Sequence, residues 1–358
     1  MKQLLVYCRA GFEKEAAAEL QDQAAAFAVF GFCKLKANSA FVIFEAYDSE
    51  ALQRFYRDFD FQHFIFIRQW LLLLSSELEL PAQDRIAPVL QAALAEELSG
   101  CGSLRVEFPD TNDGKTLSTL ARKLTVPLRQ SLRQAGVMLQ KEHKRAPVLH
   151  LFLLSGTSGY LGLSYPENNS ALENGIMRLK FPPEAPSRST LKLEEAFITF
   201  IPKDEWETRL APGMQAVDLG ACPGGWTYQL VKRSMMVTAI DNGPMAESLM
   251  ETGQVKHLMV DGFKFVPAKK NVYWLVCDMI EQPQRVAARI ADWLIQGWCQ
   301  ETIFNLKLPM KRRYETVKEV LAAFEQQLQD AGFRYQLQAR HLYHDREEVT
   351  VHVQPIKR

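Results

Sequence analysis

The chain has no surplus of either charge. Its 358 residues carry 42 Lys and Arg against 42 Asp and Glu, a formal net charge of zero. That excludes a uniformly basic nucleic-acid binder, so any such contact must rest on a local patch. No apolar run approaches the length of a transmembrane helix. The opening Met1-Lys2-Gln3-Leu4-Leu5 has one basic residue, breaks at Arg9 and turns acidic, which predicts no signal peptide and a cytoplasmic protein. Cysteine is sparse and scattered: Cys8, Cys33, Cys101, Cys222, Cys277 and Cys299 form no C-x-x-C pair. A disulfide framework and a zinc site are thereby disfavoured, reduced buried thiols are expected, and no metal is expected. The close glycine pair of a G-x-G-x-x-G dinucleotide turn is also missing.

What stands in its place is Ala216-Val217-Asp218-Leu219-Gly220-Ala221-Cys222-Pro223-Gly224-Gly225-Trp226-Thr227. This reads as a buried strand ending at an acid, a glycine-rich turn, and a helix over Thr227 to Arg233. In an open α/β sheet, ligands sit where such strands end. The next apolar runs end alike. Val237 to Ile240 stops at Asp241, His257 to Val260 at Asp261, Val272 to Cys277 at Asp278, and Ile303 to Leu306 at Lys307, just before Pro309. Successive strands delivering charge at one edge predict an enzyme site. Pro223 removes an N–H that a phosphate cradle would use. The carboxylates suit a ligand bearing a sulfonium and an ammonium better than a pyrophosphate. Asp241, about 20 residues past the first glycine, can accept ribose hydroxyls in either reading.

Upstream, residues 3–73 alternate in the ferredoxin-like order βαββαβ: strand Leu4–Cys8, helix Glu13–Ala26, strands Ala28–Leu35 and Ala40–Ala46, helix Ser49–Phe59, strand Phe64–Leu74. A second unit has a helix over Ile86–Leu98, a strand over Ser103–Phe108, and Leu117, Leu120, Ala121 and Leu124 at helical spacing. Pro127 is expected to end or kink that helix, with another over Leu128 to Ala135. Val148–Leu154 and Tyr160–Ser164 read as strands, and residues 166–186, rich in Pro, Asn and Ser, as a linker or extended arm. The domains are therefore expected at 1–78, 79–165 and 187–358, the last a doubly wound α/β sheet. Basic residues collect at Arg105, Lys115, Arg122, Lys123, Arg129 and Arg133, then Lys144 and Arg145, and again at Lys311, Arg312 and Arg313.

The run Asp218 to Trp226, with acid-ended strands downstream, resembles the Rossmann-like S-adenosylmethionine-dependent methyltransferases, whose sheet has seven mostly parallel strands. Its Pro-Gly-Gly form resembles the RNA ribose 2'-O-methyltransferases. The resemblance implies that Ser189, Asp218, Gly220 and Cys222, Pro223, Gly224, Gly225 and Trp226 surround the cofactor. Asp241 would bind the ribose, Asp261 the adenine amino group, and Asp278 would complement the sulfonium. It further implies a Lys-Asp-Lys-Glu tetrad, for which the candidates are Lys192, Asp278, Lys307 and Glu348, with Glu347 an alternative to Glu348. Lys307 is expected to accept or orient the hydroxyl proton. A free lysine is neutral only about once in ~2,500 at pH 7, and a second lysine and two carboxylates would shift it in opposite directions. Asn112-Asp113-Gly114-Lys115 before a Leu-patterned helix resembles the THUMP module of RNA-modifying enzymes. Lys115, Arg122, Lys123, Arg129, Arg133, Lys144, Arg145 and Lys311 to Arg313 would then face RNA.

The whole order resembles the bacterial 23S ribosomal RNA cytidine 2'-O-ribose methyltransferases with a THUMP domain. That implies a target in the peptidyl-transferase loop, modified before the ribosome is fully assembled, by an enzyme expected to act as a monomer without an obligate protein partner. A base methyltransferase is the nearest rival. Its exocyclic-amine form favours a Pro-Pro-aromatic loop where this chain has Cys277-Asp278-Met279-Ile280, and alternation points Cys277 away from the site. A catalytically silent RNA-binding scaffold has no need of a buried tetrad.

Overall fold

A computed structural model describes residues 2–356. They divide into two compact units, Met1–Ile176 and Met177–Arg358.

The first unit runs β1 (Gln3–Tyr7), α1 (Glu13–Ala26), β2 (Gly31–Leu35), β3 (Phe41–Ala46), α2 (Ser49–Asp58), β4 (Gln69–Leu73), β5 (Leu78–Glu79), α3 (Ile86–Ala95), β6 (Ser103–Glu107), α4 (Asn112–Lys115), α5 (Ser118–Gln134), β7 (Val148–Leu153) and β8 (Ser158–Ser164). Its first six elements have the ferredoxin-like order β2-β3-β1-β4. That sheet does not stop at β4. Leu72 and Leu73 pair antiparallel with Leu163 and Gly162 of β8, so β8, β7 and β6 extend it into one eight-stranded sheet, with β5 against β8.

Three sequence expectations are corrected here. The strand expected from Phe64 begins only at Gln69, because the buried Glu19 carboxylate accepts the amides of Ile65 (2.5 Å) and Phe66 (2.9 Å) and holds that stretch as a loop. The strand expected from Ala28 begins at Gly31, because Ala28 adopts φ 57° in the turn closing α1. Pro127 does not end a helix: α5 is continuous from Ser118 to Gln134 with the proline inside it. An interior proline costs about 3 kcal/mol. The stripe Ala121, Leu124, Leu128 and Leu132, buried against β6 and β7, offsets that loss.

The segment read as an extended arm is sewn to this unit as far as Asn174. Trp70 Nε1 donates to Asn168 O (2.6 Å), and Asn168 Nδ2 to Tyr56 O (2.7 Å). Asn174 N donates to the buried Glu107 (2.7 Å). Arg105 gives its guanidinium to the carbonyls of Ser170, Ala171 and Leu172, so its charge serves the fold.

The second unit runs α6 (Thr190–Phe200), α7 (Trp206–Arg209), β9 (Gln215–Leu219), α8 (Gly225–Val231), β10 (Met236–Ile240), α9 (Glu247–Met250), β11 (Val255–Leu258), β12 (Val272–Cys277), α10 (Pro283–Ile295), β13 (Cys299–Lys307), α11 (Arg313–Asp330), β14 (Tyr335–Arg340) and β15 (Glu348–Pro355). The seven strands lie in the order β11-β10-β9-β12-β13-β15-β14. The first five are parallel, and β15 runs antiparallel to both β13 and β14. Near-continuous apolar runs such as Val272 to Cys277 are what a sheet covered on both faces requires. Strand order reverses beside β9, so the C-terminal ends of β9, β10 and β12 open a crevice at the topological switch point. No helix among the described residues is long and apolar enough to cross a membrane.

Candidate active site

The crevice is a cavity of about 560 Å³ lined by Ser189, Gly220, Cys222, Trp226, Asp241, Asp261, Asp278 and Lys307 among others. It lies within the usual size range of cofactor sites. Gly220 turns the chain at φ +81°, and a Cβ there would lie 2.8 Å from Met279 Cγ. At Gly225 a Cβ would lie 2.0 Å from Ser189 Oγ. The positive φ makes Gly220 a glycine position, and at both sites the missing Cβ lets the turn pack close against its neighbours.

The strand-end acids divide into two groups. Asp241 and Asp261 reach the cavity and are oriented by backbone. Asp241 accepts from Cys222 N (3.0 Å) and Gly243 N (2.8 Å), and Asp261 from Phe263 N (2.9 Å). Asp218 is fully buried and does not line the cavity. Its Oδ2 accepts from Thr227 Oγ1 (2.7 Å), pinning the start of α8 to β9. Pro223, Gly224 and Gly225 likewise shape the turn from behind the lining. Asp218 Oδ1 is enclosed without a hydrogen-bond partner among the described residues. Burial, with Asp278 and Asp241 nearby, pushes the Asp218 carboxyl up to about 7 against the pull of Thr227.

A raised acid keeps its proton in the folded chain while the unfolded chain ionises, so it lowers stability as pH rises from about 4 to about 7. Asp218→Asn is therefore expected to gain stability on the wild type across that window and to hold the gain above it, as measured by urea unfolding at several pH values. A difference independent of pH would show that Asp218 is ionised throughout.

At the end of the cavity the four tetrad candidates form an alternating ring. Lys307 Nζ lies 2.6 Å from Asp278 Oδ1 and 3.8 Å from Glu348 Oε2. Lys192 Nζ lies 2.5 Å from Glu348 Oε1 and 3.4 Å from Asp278 Oδ2. Side-chain exposures of 8–21% leave the ring mostly buried but open to solvent at each member. Each residue comes from a different element: Lys192 from the first turn of α6, Asp278 from the end of β12, Lys307 from the end of β13, Glu348 from the start of β15. The antiparallel register sets Lys307 directly opposite Glu348. Glu347 points the other way and pairs with Arg313 at 2.8 Å. Burial lowers the Lys192 ammonium, but Asp278 and Glu348 outweigh it and hold the group above the ordinary lysine range. Lys192 is thus a fixed cation at neutral pH.

The remaining basic candidates fall on both units. Lys115, Arg122, Lys123, Lys144 and Arg145 are exposed on the first unit, while Arg129 and Arg133 are half-buried. Arg129 faces Glu142 at 3.7 Å, and Arg133 Nε donates to Leu139 O. Because α5 is continuous, Arg122, Arg129 and Arg133 share one face. In the second unit Lys311 and Arg312 are exposed before α11, and Arg312 meets Glu319 at 3.2 Å.

Four carboxylates, Asp241, Asp261, Asp278 and Glu281, beside apolar walls from Ile240, Val260, Phe263, Met279 and Ile280 fit a ligand with cationic ends and a flat base. The sheet, the glycine turn and the tetrad define a Rossmann-like S-adenosylmethionine-dependent methyltransferase. Three family models match in chain order: the RlmM ferredoxin-like domain over 1–71, the N-terminal region of ribosomal RNA large subunit methyltransferase M over 84–165, and FtsJ-like methyltransferase over 185–329. Among relatives, ribosomal RNA large subunit methyltransferase M of Photorhabdus sp. (strain Az29) is 56% identical over 356 residues, covering 99% of this chain and 97% of that protein. The proteins of that name from Vibrio atlanticus (strain LGP32) and Aliivibrio salmonicida (strain LFI1238) are 55% and 56% identical over 357 residues, covering 99% of this chain and 98% of each relative. The chain belongs to the ribosomal RNA large subunit methyltransferase M family.

Proposed function

We propose that this protein methylates the ribose 2'-hydroxyl of a cytidine in the peptidyl-transferase loop of 23S ribosomal RNA, in the cytoplasm, as a monomer and before the large subunit is complete. The observation that carries the reading is the ring of Lys192, Asp278, Lys307 and Glu348 at the edge of the cofactor cavity. S-adenosylmethionine, when bound, supplies a methyl group on a positively charged sulfur. Asp241 would hold ribose hydroxyls, Asp261 would meet the adenine amino group, and Gly220, Cys222 and Trp226, the turn residues that line the cavity, would follow the rest of the cofactor. Asp278 balances positive charge on the cofactor side and positions Lys307.

The attacking hydroxyl must be held in line and relieved of its proton. Lys192 stays protonated between two carboxylates and steers the substrate ribose with Glu348. Lys307, 2.6 Å from Asp278 and lining the cavity, is the group that orients the 2'-oxygen and takes its proton. The exposed cations of the first unit, in the THUMP-like region, with Lys311 and Arg312 of the second, supply contacts to the RNA backbone.

With labelled S-adenosylmethionine and protein-free 23S RNA, one nucleotide should become resistant to alkaline cleavage. A 2'-O-methyl group prevents that oxygen from attacking the adjacent phosphate, whereas a methylated base leaves the strand cleavable. Label recovered on a base would replace the ribose reading with the base-methyltransferase one.

A further inference from the structure

Behind the catalytic ring lies a second cross-strand pair. Asn305 precedes Lys307 by two residues on β13, and Thr350 follows Glu348 by two on β15. Each therefore shares the face of its catalytic neighbour. The ladder sets Asn305 opposite Thr350 as it sets Lys307 opposite Glu348. Both are fully buried, as is Asp345 in the turn between β14 and β15.

The hydrogens of this group can be counted. Asn305 Nδ2 donates to Asp278 Oδ1 at 2.9 Å, the same oxygen that accepts from Lys307 at 2.6 Å. The reverse amide orientation would press the Asn305 carbonyl against that carboxylate. Asn305 Oδ1 therefore faces Thr350 Oγ1 at 2.8 Å and takes its one hydroxyl hydrogen. The Thr350 oxygen also lies 3.0 Å and 2.9 Å from the two oxygens of Asp345. Its hydrogen already spent, it can meet Asp345 only as an acceptor, so the hydrogen in that contact must come from Asp345. Leu342 N donates to Asp345 Oδ2 at 3.0 Å.

The surroundings agree with this count. Burial raises Asp345 well above the carboxylate range. Glu348 and Glu195 add to the rise, and Lys192 pulls against it. Glu195 fixes the turn itself, accepting from Tyr343 N and His344 N at 2.8 Å each.

We propose that Asp345 is a neutral carboxylic acid heading a directed hydrogen-bond chain, Asp345 to Thr350 to Asn305 to Asp278, that positions the carboxylate holding Lys307. Asn305, Thr350 and Asp345 are positioning residues, since none of them lines the cofactor cavity. The proposal rests on the methyl-transfer reading above, so it is tested with two readouts, one of which needs no catalysis.

In the first, transfer is scored as total label reaching RNA, whichever atom receives it. Asp345→Asn keeps a donor toward Thr350 and an acceptor toward Leu342 N. It should retain kcat within about threefold. Thr350→Val and Asn305→Ala should lower kcat on the order of 10²-fold, as misplacement of a reacting group does. Affinity for S-adenosylmethionine should stay within about twofold, and Thr350→Ser should restore the rate. In the second, the stability gain of Asp345→Asn over the wild type, read as the difference in Tm, should grow from pH 6 to pH 8, because the unfolded wild type ionises Asp345 while the folded chain keeps its proton. The chain is overturned if Asp345→Asn loses as much activity as Thr350→Val, if Asn305→Ala leaves kcat unchanged, or if the Tm difference is the same at every pH. Label on a base would sink the ribose assignment and leave this test standing.

Discussion

Lys307→Met is expected to lower methyl transfer on the order of 10³-fold while leaving the Kd for S-adenosylmethionine within about twofold. The carboxylates that face the cofactor, Asp241 and Asp261, are held by backbone amides and owe nothing to Lys307. Asp278 keeps Asn305 at 2.9 Å and Lys192 at 3.4 Å, so the site does not collapse when the ammonium is removed. The companion variant is Lys307→Arg, which preserves the positive charge but cannot release a proton near neutral pH. If Lys307 takes the hydroxyl proton, both variants fall by similar factors. An arginine variant that keeps a tenth or more of the rate would reduce Lys307 to a fixed cation. Lys192→Arg, by contrast, should be the milder change, since Lys192 works as a permanent cation. Equilibrium cofactor binding beside single-turnover label transfer separates these outcomes.

The parts of this site that could be read from sequence were those with local punctuation. β9, β10 and β12 end within a residue of their expected ends, because an apolar run that stops at an acid marks the rim of a parallel sheet directly. The third acid is looser. β11 spans Val255–Leu258, so Asp261 lies three residues beyond its strand and reaches the cavity from a turn. Asp218 carries the same strand-end signature as Asp241 but turns beneath the helix start, and sequence spacing cannot distinguish a carboxylate aimed at a ligand from one aimed at a cap. Asn305 did leave a trace, as a polar residue inside the run Ile303 to Leu306 on the face of Lys307. Asp345 left none, because its partners come from α6 and β15 and meet only in the folded chain. The same holds for Pro127, where a local rule for breaking helices yields to a buried leucine stripe that no local window weighs.

The second large effect lies at the opposite edge of the catalytic sheet. Arg209→Met is expected to destabilise the methyltransferase unit by about 3–5 kcal/mol, a fall in Tm of roughly 10 °C. Arg209 makes a bidentate pair with the buried Glu301, at 2.9 Å and 2.7 Å, and reaches Glu205 at 2.5 Å. Tyr273 and His352 complete the shell of Glu301 at 2.9 Å and 3.2 Å. Burial, with Arg209 nearby, lowers the His352 pKa against the pull of Glu301, leaving a neutral ring at pH 7 in the wild type. Burial raises Glu301, but His352 and Arg209 outweigh it and hold the carboxyl below its ordinary range. An acid lowered in this way stabilises the fold above its unfolded pKa and loses that contribution as pH falls through the folded value. The loss in Arg209→Met should therefore be large at pH 7 and shrink under acid. Much of the cost is the stranded carboxylate rather than the missing bond, so Arg209→Met with Glu301→Met should recover a large share of it. Glu301 is six residues before Lys307 on β13, about 20 Å along the strand. At 25 °C the folded fraction of the single variant should accordingly turn over at the wild-type rate. A double variant less stable than the single one would show that the pair stabilises the fold by attraction beyond its own desolvation.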